Sequence, residues 1–124
     1  MKLLVDTQAA LWLLLDDGRL SDTARQLLFD EEVDCFLSAA SVWEAAIKRG
    51  LGKLDAPADF HIHMERNGTR GLPVYDRHAA LVADLPPHHR DPFDRLLVAQ
   101  AMEEGMSILS ADRILRAYDV PVLW

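Results

Sequence analysis

One cysteine, Cys35, in 124 residues leaves no partner for an internal disulfide. That excludes a small secreted scaffold held by disulfide staples and points to a reducing compartment. Positive charge is also scarce: 13 Lys and Arg stand against 20 Asp and Glu, a formal net charge of −7. Proteins that coat nucleic acid nonspecifically gain affinity by neutralising phosphates with Lys and Arg. Any nucleic-acid contact here therefore has to be local or carried by a metal. Long apolar runs are missing too. The uninterrupted stretch from Ala9 to Leu15 falls far short of the roughly 20 residues a membrane-spanning helix requires. Asp6 and Gln8 break the apolar start, and no good small-residue cleavage site follows. Neither export nor membrane insertion is expected, and the natural setting is cytoplasmic.

What is present suits a folded domain. Half the residues are hydrophobic and 27% are charged, enough apolar material for one core, and residues 1–124 read as a single domain without repeats or low-complexity tracts. Short β-like runs recur at Lys2–Val5, Asp34–Leu37, Leu72–Val74, Ser107–Leu109 and Pro121–Leu123. Helical stretches separate them: Thr7–Leu15, Ser21–Phe29, Ala39–Arg49 with Gly50 as its stop, Pro57–Arg66, Asp76–Asp84, and Pro92–Glu104 closed by Gly105. Strands alternating with helices predict an α/β fold whose mainly parallel, about five-stranded sheet is flanked by helices on both faces, since parallel neighbours need crossovers. In such sheets ligands sit beyond the carboxyl ends of the strands, where strand order reverses.

The acids fall where that rule points. Asp6 follows the first strand, Glu44 lies in the helix after the second, Asp91 and Asp94 open the long helix, and Asp112 follows the fourth strand. Asp91 and Asp94, three apart, share one helix face. Several unpaired carboxylates in one crevice repel and raise one another's pKa values, and a divalent cation removes the conflict. Oxygen ligands without Cys or His companions favour Mg2+ or Mn2+ over zinc, and such an ion can activate water and stabilise phosphoryl charge.

Each acid also has a purely structural explanation. Asp91 before Pro92 is a good helix N-cap, and Asp94 complements a helix N-terminus. Ser41-Val42-Trp43-Glu44 matches a capping box, and Glu44 with Lys48 forms an i,i+4 pair. Asp6 and Asp112 suit strand-to-helix turns. Metal binding becomes the better explanation only for the set, with Asp6 the hardest to dismiss.

Four segments carry a resemblance: Leu3-Leu4-Val5-Asp6-Thr7-Gln8-Ala9, Ser38-Ala39-Ala40-Ser41-Val42-Trp43-Glu44-Ala45-Ala46-Ile47-Lys48, His89-Arg90-Asp91-Pro92-Phe93-Asp94-Arg95-Leu96-Leu97-Val98-Ala99-Gln100-Ala101, and Leu109-Ser110-Ala111-Asp112. The chain resembles PIN-domain nucleases, especially the VapC-like ribonuclease toxins of toxin–antitoxin pairs. The resemblance implies a PIN-like three-layer fold and carries the family's four acids onto Asp6, Glu44, Asp94 and Asp112, with Asp91 an additional acid. It implies a Mg2+- or Mn2+-dependent endoribonuclease that uses water rather than a protein nucleophile and leaves a 5′-phosphate and a 3′-hydroxyl. Asp6, Asp94 and Asp112 would hold metal, Glu44 would bind it or orient the water, and Thr7 and Ser110 would support the ligands. A homodimer and a small antitoxin set into the acidic groove are further implications.

Lys48, Arg49, Lys53, Arg90, Arg95 and Arg113 are candidates to guide RNA. His61 and His63 point apart on a helix and complete no zinc set. His88 and His89 read as an ordinary polar loop outside the site, Cys35 as a core residue, and Trp12, Trp43 and Trp124 as packing residues, the first two also suited to a partner surface. Two other functions remain open: a catalytically silent PIN fold that binds protein or RNA, and a Mg2+-dependent phosphatase, although Asp6-Thr7-Gln8 lacks the second Asp of the haloacid-dehalogenase kind.

Overall fold

The first strand shows how this sequence builds a sheet covered on both faces. In the computed structural model, which describes residues 1–124, Lys2–Val5 forms β1, and Leu3, Leu4 and Val5 are all fully buried. Successive side chains leave opposite faces of a strand. Leu3 and Val5 therefore join one core cluster and Leu4 the other, which is why β1 reads as an unbroken apolar run rather than an alternation.

The remaining elements follow as α1 (Thr7–Leu14), α2 (Asp22–Leu28), β2 (Asp34–Ser38), α3 (Ala39–Gly50), α4 (Phe60–Arg66), β3 (Arg70–Leu72), α5 (Asp76–Leu81), α6 (Pro92–Glu104), β4 (Ser107–Leu109) and β5 (Val122–Leu123). Two 3₁₀ turns cover Val82–Asp84 and Arg113–Ala117. The strands lie in the order β3-β2-β1-β4-β5, every neighbouring pair parallel. Helices α1 to α4 supply Ala9, Leu11, Ala24, Ala45, Phe60 and Met64 to one face, and α6 supplies Leu97, Val98, Ala99 and Ala101 to the other. The expected three layers and parallel sheet are present. No helix is long and apolar enough to cross a membrane.

Several boundaries move for physical reasons. The third strand ends at Leu72 rather than beginning there, because Pro73 has no N–H for a ladder and Val74 is exposed. The fourth helix starts at Phe60, after a turn in which the Phe60 amide donates to the Pro57 carbonyl. The fifth tightens into a 3₁₀ turn after Leu81, and Leu85, extended at ψ 139° as a residue before proline prefers, ends it. Gly50 is the last helical residue of α3 rather than its stop, and the chain reverses at Gly52, φ +70°. Gly105 does close α6, in the left-handed conformation at φ 65°. Trp43 is not a core residue: it is 60% exposed, with Phe93 edge-on at 5.2 Å.

Helix α6 presents Asp94 on its first turn and buries Leu97 one turn later. Leu97→Ala should lower unfolding free energy by about 2–5 kcal/mol, the transfer and cavity cost of a buried leucine. Urea titration monitored by circular dichroism would register it as a lower midpoint with an unchanged slope.

Candidate metal centre

Sheet order reverses between β2–β1 and β1–β4, so the carboxyl ends of β1 and β4 flank the topological switch point. Asp6 follows β1 directly, and its amide donates to the Leu109 carbonyl at the end of β4 at 3.1 Å. Ser110 follows β4, and its hydroxyl accepts from the Asp112 amide at 3.0 Å. The two acids most distant in sequence are therefore fixed at adjacent strand ends. A cleft of about 550 Å3 opens there, and Asp6, Glu44, Asp91, Asp94 and Asp112 all line it.

The capping roles are real and do not compete with the cleft. Asp6 Oδ1 accepts from the Ala9 amide at 2.7 Å, Asp91 Oδ1 from Phe93 at 2.8 Å, and Asp112 Oδ1 from Ile114 at 3.0 Å. Each cap engages one oxygen and fixes the carboxylate's direction. Helix α3 begins at Ala39 with Ser38 as its cap, whose hydroxyl accepts from Ala40. The capping box proposed for Ser41 to Glu44 is thus absent, and Glu44 sits buried in mid-helix, its Oε2 accepting from Lys48 Nζ at 2.6 Å.

Electrostatics match that crowding. Burial, then the Glu44 and Asp112 carboxylates, push Asp6 up to about 6, while the Ser110 hydroxyl and the Ala9 amide hold it lower. Burial, then Asp91, Asp6 and Glu44, push Asp94 up to about 7, with His89 opposing. Asp94 keeps part of its proton at neutrality and Asp6 begins to take one up just below it, unless a cation takes the protons' place. A further mark is Thr7 Oγ1, buried on the cleft wall without a hydrogen-bond partner. Oxygen donors from several elements, an orphaned hydroxyl and acids reluctant to ionise unaided fit a hard divalent cation.

The residue that sequence reasoning left out is His89. Its Nε2 lies 2.7 Å from Asp112 Oδ2 and 3.2 Å from Asp94 Oδ2, and the three side chains can bring one ligand atom each within 4.8 Å of one another. The only hint was its place two residues before the Asp91 cap. Arg95 is the converse. Proposed to guide RNA, it donates instead to the carbonyls of Pro86, Val82 and Leu85 and to the Tyr118 hydroxyl, so it ties down the loop before α6. Of the other cations, Lys48 and Lys53 line the cleft, and Lys48 is paired with Glu44. His61 and His63 stay outside the cleft, as does Cys35, whose thiol is pushed up by burial and the Asp34 carboxylate.

A family model described as PIN domain matches residues 3–121. Among solved structures, VapBC2 from Rickettsia felis, bound to a DNA fragment from its promoter, is similar at a TM-score of 0.73 and 10% identity, over 99% of this chain and 98% of that one. FitAB bound to the IR36 DNA fragment is similar at a TM-score of 0.66 and 22% identity, over 98% and 93% of the two chains. FitAcB from Neisseria gonorrhoeae gives a TM-score of 0.64 and 21% identity, over 98% and 96%. At these identities the likeness concerns the fold. No curated protein sequence matches the chain.

Proposed function

The chain belongs to the PIN-domain family, and on that premise we propose that it is a metal-dependent endoribonuclease, the toxin of a toxin–antitoxin pair. The observation that carries the proposal is the convergence of five acids at the switch-point cleft, with Asp6 and Asp94 raised toward neutrality. Asp6, Asp94 and Asp112 would hold Mg2+ or Mn2+, with Asp91 Oδ2 and Glu44 Oε1 beside them. A bound ion would supply Lewis acidity toward a phosphodiester and ease deprotonation of the attacking water.

The chain's own groups do the rest. Glu44, anchored by Lys48 at 2.6 Å, is held to orient the attacking water and take its proton. Lys53 is exposed on the cleft wall, suited to a backbone phosphate of a single strand. The net charge of −7 is no obstacle, because phosphates approach a cleft whose acids are neutralised by cations. Lys53→Ala should weaken RNA binding modestly, reduce the salt dependence by about 0.7 in log–log slope, and leave stability unchanged. Filter binding at several salt concentrations reads this directly.

An antitoxin is proposed as the inhibiting partner, in keeping with the similarity to VapBC2 and FitAB. A homodimer is supported by Trp43 and Ile47 on α3 and Leu51 just past its end, exposed apolar residues at four-residue spacing. A cytoplasmic setting completes the proposal.

The test incubates purified protein with end-labelled mixed RNA, with Mg2+ or Mn2+, with EDTA, and beside Asp94→Asn. Internal cuts ending in 5′-phosphate, lost with EDTA and in the variant, are expected. Cutting that survives the substitution would overturn the assignment of the site. Metal binding without cutting of any RNA would favour a silent binding module.

A further inference from the structure

The proposed centre contains one side chain that touches two of its acids and is not itself an acid. His89 is mostly buried, 13% exposed, and both its ring nitrogens are engaged. Its Nδ1 accepts from the Asp91 backbone amide at 3.0 Å. An amide N–H can only donate, so that ring nitrogen carries its lone pair and the ring proton sits on Nε2. Nε2 therefore donates to Asp112 Oδ2 at 2.7 Å, with Asp94 Oδ2 beside it at 3.2 Å. A ring nitrogen bearing a proton cannot offer a lone pair to a metal. If Nε2 ligated an ion while Nδ1 kept the Asp91 amide, the ring would have to be an imidazolate.

We infer that His89 is a positioning residue rather than a metal ligand: its Nε2–H, bonded to Asp112 from the turn after β4 and facing Asp94 from the start of α6, holds the two carboxylates together with lone pairs left for the cleft. The inference rests on the proposed metal centre and deepens it. Asp112 shows the effect most clearly, with Oδ1 held by the Ile114 amide and Oδ2 by His89. Asp94 has no cap bond of its own, and its one ion-pair contact is with His89 Nε2 at 3.2 Å.

The ring is held in turn from behind. The His89 amide donates to the Tyr118 hydroxyl at 2.8 Å, and that buried hydroxyl also accepts from Arg95 at 3.2 Å. Arg95 fixes the loop through the carbonyls of Val82, Leu85 and Pro86. A connected path thus runs from that loop through Tyr118 and His89 to the two carboxylates. Hydrogen-bond partners that orient ligands are commonly worth 10–100-fold in metal affinity.

The test compares wild type, His89→Gln and His89→Phe. Glutamine places an amide donor near the position of Nε2, whereas phenylalanine keeps the ring's bulk and offers no donor. Mn2+ affinity, measured by electron paramagnetic resonance on the full chain without RNA, should fall about 10–100-fold in His89→Phe and recover most of that loss in His89→Gln. Long-range proton–nitrogen NMR of wild type should show a protonated Nε2 and an unprotonated Nδ1 that persist when Mg2+ is added. On RNA, His89→Phe should lower kcat with little change in KM.

Unchanged Mn2+ affinity in His89→Phe, or loss of the Nε2 proton on adding Mg2+, overturns the inference. The NMR result decides it in wild type even if His89→Phe does not fold. Wild type that binds no Mn2+ overturns both the inference and the proposed centre. Mn2+ binding that responds to His89 as expected, without RNA cutting, sinks the ribonuclease reading alone.

Discussion

Asp94→Asn should abolish RNA cleavage while making the metal-free protein more stable at pH 8. The loss of rate is expected at about 10³-fold, or ~4 kcal/mol of transition-state stabilisation, because the variant removes one negative charge from the set that would hold the ion. The gain in stability has a separate cause. Asp94 is pushed up to about 7 by burial and by Asp91, Asp6 and Glu44, so its charged form at pH 8 is disfavoured in the folded protein. Asparagine is nearly isosteric and uncharged, and its amide oxygen can still face His89 Nε2. Thermal unfolding without metal should give a higher Tm for the variant at pH 8, with the difference narrowing as pH falls through about 7 toward about 4, as wild-type Asp94 becomes protonated in the fold. A lower Tm for the variant at pH 8 would show that the carboxylates do not repel as described. The pairing of lost activity with gained stability separates a functional acid from a merely structural cap.

The wild-type protein itself should respond strongly to pH and metal. An unfolded aspartate titrates near 4, whereas Asp6 and Asp94 in the fold titrate at about 6 and about 7. Between pH 4 and 7 the folded state binds more protons than the unfolded chain, so the stability of the metal-free protein falls as pH rises through that window. Above pH 7 both states are deprotonated at these sites and the dependence flattens. Mg2+ or Mn2+ should reverse the trend by replacing the protons. At a hundredfold excess over its Kd, an ion binding only the folded state adds about 2.7 kcal/mol. It should bind progressively less well below pH 7, where it must displace the Asp94 proton. Calorimetric scans from pH 5 to 8, with EDTA and with Mn2+, test both halves. A Tm that rises with pH in EDTA would contradict the assigned shifts.

The legible parts of this protein are those written in local pattern. The runs at Lys2–Val5, Asp34–Leu37 and Ser107–Leu109 carry their own apolar signature, and Asp6 and Asp112 stand out because each ends such a run where the chain enters a helical turn. Asp91 seemed to demand a choice between cap and cleft. It makes none, since capping engages Oδ1 while the residue still lines the cleft. Little local marks His89 beyond its place two residues before the Asp91 cap, since the acids it meets lie 5 and 23 positions ahead and reach it only once α6 and the turn after β4 are packed. Arg95 misleads for the same reason: a cation beside an acidic motif looks like a phosphate guide until the carbonyls of Val82, Leu85 and Pro86 are seen around it. Strand β3 shifted by two residues because one proline outweighs the β preference of Val74.

The pairing of β1 with β4 also sets a timetable. Asp6 is made almost at once, but it meets Asp112 only when Ser107–Leu109 has docked in register beside Leu3–Val5, after a hundred further residues have been synthesised. Contacts so far apart along the chain form late. A nascent polypeptide from which Ser107–Leu109 has not yet emerged therefore has no complete acid set, however well its first helices have formed. For the proposed toxin this would defer the hazard to the machinery that makes it until β4 and the turn after it leave the exit tunnel, giving the proposed inhibitor time to be waiting.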